Sequence, residues 1–141
     1  FFTICGNALG NSIVKLFVDK STSVNQQQIE SLTKNIPVLM FFVTGFLAPV
    51  GEELIFRGVI FTGLRKYNRV LAYVVSAFLF GFIHVMSSVF AGNIGEMIQM
   101  IPYMCSGLVF AYVYESTDNI WGSILTHMTN NIVAMVVLFL M

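Results

Sequence analysis

The sequence predicts an all-α protein, a polytopic bundle of transmembrane helices with about five membrane segments, one of them broken at Pro49/Gly51. Three observations carry this. Of the 141 residues, 57% are hydrophobic and only 10% are charged, against about 25% charged in a soluble domain. The mean hydropathy is +0.82, and 14 phenylalanines supply bulky apolar surface suited to lipid. Most apolar runs are about 20 residues long, enough to cross a hydrocarbon layer of about 30 Å, and mostly short polar connections separate them. At that length per span the chain holds about five spans and no separate soluble domain. Seven basic and seven acidic residues cancel, and no basic patch points to a nucleic acid partner. Cys5 and Cys105 lie in apolar contexts, so they read as membrane thiols, with neither a disulfide framework nor a CxxC metal site.

Two units follow in order. Residues 1–35 read as a partial N-terminal membrane helix and a polar loop. The chain opens Phe-Phe-Thr-Ile-Cys, with no initiating Met, no basic leader and no small-residue cleavage site. It therefore reads as cut from a longer protein, without a signal peptide. Residues 1–18 form a weak span, diluted by Gly6, Asn7, Gly10, Asn11, Ser12 and Lys15, and 19–35 form the only long polar stretch, with room for a surface helix. Residues 36–141 form the core. Pro37 suits a first helical turn. The apolar run that follows is too long for one span, and Pro49 and Gly51 fall in its middle. Because an interior Pro removes a hydrogen bond, the expectation is a helix over 36–48, a joint at 49–51 and a second helix over 51–66, bordering a cavity. Further spans are expected at 70–90, 95–115 and 119–141. The connection Arg65-Lys66-Tyr67-Asn68-Arg69 holds three of the seven basic residues. The positive-inside rule places it in the cytoplasm, with 91–94 outside and 115–118 inside.

Charge inside these spans is where chemistry is expected, because ionised groups in hydrocarbon are costly and face protein or water. Glu53 and Arg57 are four apart and share a helix face, so they can pair. Glu52 lies five residues from Arg57, about 140° around the helix, and projects elsewhere. His84, His127 and Asn131 are the other polar candidates, and His127 and Asn131 share a face at i, i+4. At 1.5 Å per residue, Glu52 lies roughly 20 Å and His84 roughly 22 Å in from the basic loop, with His127 about 12 Å in from 115–118. These depths overlap, so the four side chains can meet. A carboxylate, two imidazoles and a carboxamide are the parts needed to activate a water. Glu52 serves as general base, the imidazoles hold a metal or an oxyanion, and Asn131 orients the water or donates to the oxyanion. No HExxH and no Ser-His-Asp set is present, so hydrolysis by activated water is favoured over an acyl-enzyme.

Plainer readings stand beside this one. Glu52, Glu53 and Arg57 can be an ion-pair cluster that pins helices, and a lone membrane His or Asn is often interhelical glue. Glu96 suits the first turn of its helix. Asn93, Asn119 and Asn130 suit loops or caps, and Trp121, Tyr103 and Tyr114 suit interfacial anchors.

Glu-Glu-x-x-x-Arg (Glu52, Glu53, Arg57), Phe-x-x-x-His (Phe80, His84) and His-x-x-x-Asn (His127, Asn131), in that order on successive helices, resemble the CAAX prenyl protease and bacteriocin-processing (CPBP, or Abi) family of intramembrane endopeptidases. The resemblance covers about residues 36–141, and every motif position is filled. It implies that Glu52 is the base, that His84, His127 and Asn131 complete the site, and that Glu53, Arg57 and Phe80 support it. It also implies further helices before the first motif, a bacterial cell membrane, lipid around the chain, and a membrane-associated substrate, either a prenylated CAAX-type or a bacteriocin-like peptide. The family is commonly labelled metalloprotease, with Zn²⁺ or another divalent metal on His84, His127 and Glu52. A metal-free, glutamate-activated water stands against that, since a ligating Glu52 would leave the reaction without a base. Two other functions stay open: a bacteriocin-immunity or scaffold protein of the same fold, and a proton- or cation-coupled transporter. The transporter predicts internal symmetry, which the sequence does not display.

Overall fold

The computed structural model describes residues 10–12, 14–15 and 22–140. The weak span expected over 1–18 lies outside them except for two short helical pieces. All regular structure among the described residues is helical, and four helices are long and apolar enough to cross a membrane: α2 (Pro37–Arg65), α3 (Arg69–Phe90), α4 (Ile94–Thr117) and α5 (Ile120–Leu140). A fifth helix, α1 (Val24–Asn35), occupies the polar stretch. Ser23 caps it, its Oγ accepting the Gln26 N–H at 3.2 Å, which pairs one of the N–H groups a helix start leaves open. Asn68 caps α3 in the same way through Leu71 N, at 2.9 Å. Asn119 accepts from Trp121 N at the start of α5, at 3.0 Å.

The joint expected at 49–51 is absent. The helix runs unbroken from Pro37 to Arg65 and instead widens into π-helix at Val43–Leu47 and Leu54–Phe61. Pro49 sits in the first turn of the α-helical segment between them. The first π turn absorbs the proline by changing the hydrogen-bond step, so the chain does not stop there.

Two ends of the bundle are tied differently. At one, the connection after α2 meets the connection after α4 through Arg65 Nη2–Asp118 Oδ1 at 3.1 Å and Arg69 Nη2–Glu115 Oε2 at 2.8 Å. At the other, α3 turns into α4 through Gly92, whose φ of +93° suits a residue without Cβ. There Glu96, in the first turn of α4 as expected, accepts the Val24 N–H at 3.0 Å and holds the start of α1 against the bundle.

The core lies between α2, α3 and α4, where Phe56, Phe80 and Phe110 cluster beside a second group of Phe61, Ala72 and Ala111. Gly107 lets α4 approach α3 closely: a Cβ there would stand 3.2 Å from Phe80 and 3.3 Å from the Ala77 backbone. Hydroxyls join the helices, with Ser76 Oγ donating to Phe56 O at 3.1 Å and Thr62 facing the Tyr114 hydroxyl at 2.8 Å. The outer surface carries exposed Val38, Leu47, Val59, Val70, Phe90 and Leu140, the apolar face a bilayer requires.

Candidate active site

The helical geometry of α2 separates its two adjacent carboxylates. Glu53 and Arg57 pair at 3.0 Å, and both side chains are 0% exposed. The fold supplies this buried pair with partners from three directions, while Glu53 Oε2 and Arg57 Nε are buried without a hydrogen bond. Arg57 Nη2 donates to Gly107 O at 2.6 Å, reaching a carbonyl on the helix face that the missing side chain leaves open. The guanidinium lies over the Phe80 ring at 4.7 Å and the Phe110 ring at 5.4 Å. Glu53 Oε1 also meets His127 Nδ1 at 2.9 Å. The pair therefore ties α2 to α4 and α5 and fixes the ring of His127.

Glu52 is 25% exposed and faces a cavity of about 510 Å³ that His84, His127, Asn131, Tyr103 and Ser106 also line. Its Oε2 is buried without a hydrogen-bond partner. It stands 3.8 Å from His84 Nε2 and 4.0 Å from His127 Nε2, too far for direct bonds and a separation that suits one bridging water. His84 Nδ1 is 2.7 Å from Phe80 O. A carbonyl only accepts, so the proton is assigned to Nδ1 and the Nε2 lone pair points toward Glu52. The carboxylate of Glu53 likewise assigns a proton to His127 Nδ1. Three acceptor atoms thus converge where a group with protons to give is needed.

The fold brings all four candidate residues to one cavity. Asn131, on the His127 face of α5, donates through Nδ2 to Thr44 O at 2.9 Å, so one of its two N–H groups is engaged with α2. Phe80 separates the imidazoles, with its ring 5.0 Å from His84 and 5.7 Å from His127.

Sequence reasoning overlooked the aromatic supports. His84 stacks on Tyr103 at 4.3 Å and 17°, and His127 stacks on Phe110 at 4.4 Å and 18°. Tyr103 is therefore a ring support within the cavity rather than an interfacial anchor, and its hydroxyl meets Ser23 Oγ at 2.7 Å. The signal was the two-turn spacing of Tyr103 and Phe110 on one helix face, seven residues apart like the a positions of a heptad.

The model of the Rce1-like family, type II CAAX prenyl endopeptidases, matches residues 34–133 and takes in Glu52, His84, His127 and Asn131. The chain belongs to this family. Two of three similar proteins carry names of the same kind. A putative membrane peptidase of Bacillus subtilis, YdiL, is 32% identical over 77% of this chain and 41% of its own length. The membrane-embedded CAAX protease MroQ of Staphylococcus aureus is 28% identical over 84% of this chain and 47% of its own. A protein of Mycoplasma capricolum is 28% identical over 97% of this chain and 42% of its own. The chain thus spans less than half the length of these three relatives. No solved structure matches.

Whether the Rce1-like site fits zinc is a question of donor spacing. Tetrahedral Zn²⁺ holds ligands at about 2.0–2.1 Å, which sets the donors roughly 3.3 Å apart. Glu52 Oε2 stands farther than that from both imidazoles, at 3.8 and 4.0 Å. Among the described residues no three His, Cys, Asp or Glu side chains are placed to hold a metal. As arranged, the donors do not fit the ion.

Proposed function

We propose that the protein is an intramembrane endopeptidase that hydrolyses a peptide bond of a membrane-associated CAAX-type peptide with a water activated by Glu52. The observation that carries this reading is the cavity-lining Glu52, whose Oε2 stands 3.8 and 4.0 Å from two imidazole Nε2 atoms. A water there donates one proton toward Glu52 and the other toward His84 Nε2. Glu52 takes its proton as the water oxygen bonds to the scissile carbonyl carbon, whose π electrons move to oxygen. That oxyanion is met by the second N–H of Asn131, while Glu53 holds the His127 ring through Nδ1. The carbon–nitrogen bond then breaks, and Glu52 returns its proton to the leaving amine, so one water is consumed and acid and amine are released.

The basic loop at 65–69 is taken as cytoplasmic and the membrane as the bacterial cell membrane, from the positive-inside rule and the bacterial relatives. The test is cleavage of a farnesylated CAAX peptide by the purified protein in detergent, followed by mass spectrometry, with an unprenylated membrane peptide in parallel. A zinc chelator is expected to leave the rate within about twofold. Activity abolished by the chelator and restored by Zn²⁺ would overturn the metal-free step.

A further inference from the structure

The hydrogen bond between Asn131 and Thr44 answers a specific defect in α2. In the π turn at Val43–Leu47 the Ala48 N–H bonds to Val43 O, five residues back. The next bond in that series would run from residue 49 to Thr44 O. Residue 49 is Pro and has no N–H to give. A helix carbonyl left without its own donor must be met by another group. Asn131 Nδ2 meets it at 2.9 Å, from a helix 87 residues away in sequence.

We infer that Pro49 is a positioning residue for the site: by withholding its N–H it leaves Thr44 O open, and that carbonyl fixes the carboxamide of Asn131 and the docking of α5 beside Glu52. The consequence for hydrolysis rests on the function proposed above, whereas the bond itself does not. The engagement of Nδ2 with α2 sets which way the amide faces, and Asn131 lies one turn from His127. One proline on α2 thus sets the approach of two site residues on α5.

This is tested by a cycle of Pro49→Ala and Asn131→Ala, read as thermal unfolding of the purified protein in detergent, a measurement that stands even if no peptide is cleaved. In the wild-type background, Asn131→Ala strands the carbonyl and lowers the midpoint by roughly 5 °C. In the Pro49→Ala background the new N–H takes the carbonyl, so the same change costs less than half as much. Should Asn131→Ala alone fail to fold, adding Pro49→Ala restores a folded protein. Equal losses in both backgrounds, or no restoration, would overturn the inference. Asn131→Leu keeps a comparable size without any donor and should destabilise the otherwise wild-type protein; a wild-type midpoint for Asn131→Leu would overturn the inference too.

Discussion

Glu52 and Glu53 are neighbours in sequence with opposite surroundings, and the difference predicts opposite behaviour. Glu53 is fully buried and holds both Arg57 and His127. Glu53→Gln leaves a buried guanidinium without its counter-ion, a change worth about 3–5 kcal/mol. The expected result is a midpoint lower by roughly 10 °C in a thermal melt. Glu52 makes no contact as short as these, its Oε2 standing 3.8 and 4.0 Å from the imidazoles, so Glu52→Gln should keep the wild-type midpoint to within about 2 °C. Equal melting of the two variants would mean that both carboxylates are structural. The split was legible in the sequence, because 100° per residue puts only Glu53 on the face of Arg57. The bond from Glu53 to His127 was not, because it depends on how α5 docks.

At the scale of elements, the limits of local rules are visible in α2. Pro49 and Gly51 read as a joint because a proline removes a bond that its own helix cannot replace. The replacement comes from Asn131, and no local pattern announces it. The close approach of α3 and α4 was also hidden, since Gly107 reads as an ordinary small residue in an apolar run. Its role is specific: a Cβ would press on Phe80 and the Ala77 backbone and stand 3.4 Å from Arg57 Nη2. Gly107→Ala should cost about 1–3 kcal/mol through overpacking, observed as a lower midpoint. A stabilising effect would show that α3 and α4 part easily.

For the whole molecule, the bundle was legible from composition and span length alone, as was the polar stretch that became α1. The proposed orientation follows the basic cluster at 65–69, which the acidic groups Asp118 and Glu115 clasp at the same end. Exposed pairs of this kind contribute about 0.2–1 kcal/mol, so Arg69→Ala should leave the melt nearly unchanged. A Lys66→Cys variant should resist a membrane-impermeant maleimide in intact cells and react in inverted vesicles. Labelling of that position in intact cells would reverse the proposed orientation. That Glu52, His84, His127 and Asn131 could share one cavity was legible, because few polar groups occur in such apolar spans. Its ring supports were not, because Tyr103 and Phe110 look like any aromatic residue in a membrane helix.

Glu52 is proposed to activate the water that cuts the peptide. Wild type and Glu52→Gln, both folded in detergent, should be compared for cleavage of the same farnesylated peptide. A loss of about 10²–10⁴-fold in the variant, with an unchanged melt, is the predicted result. Cleavage by Glu52→Gln at the wild-type rate would contradict the account and return these residues to a packing role.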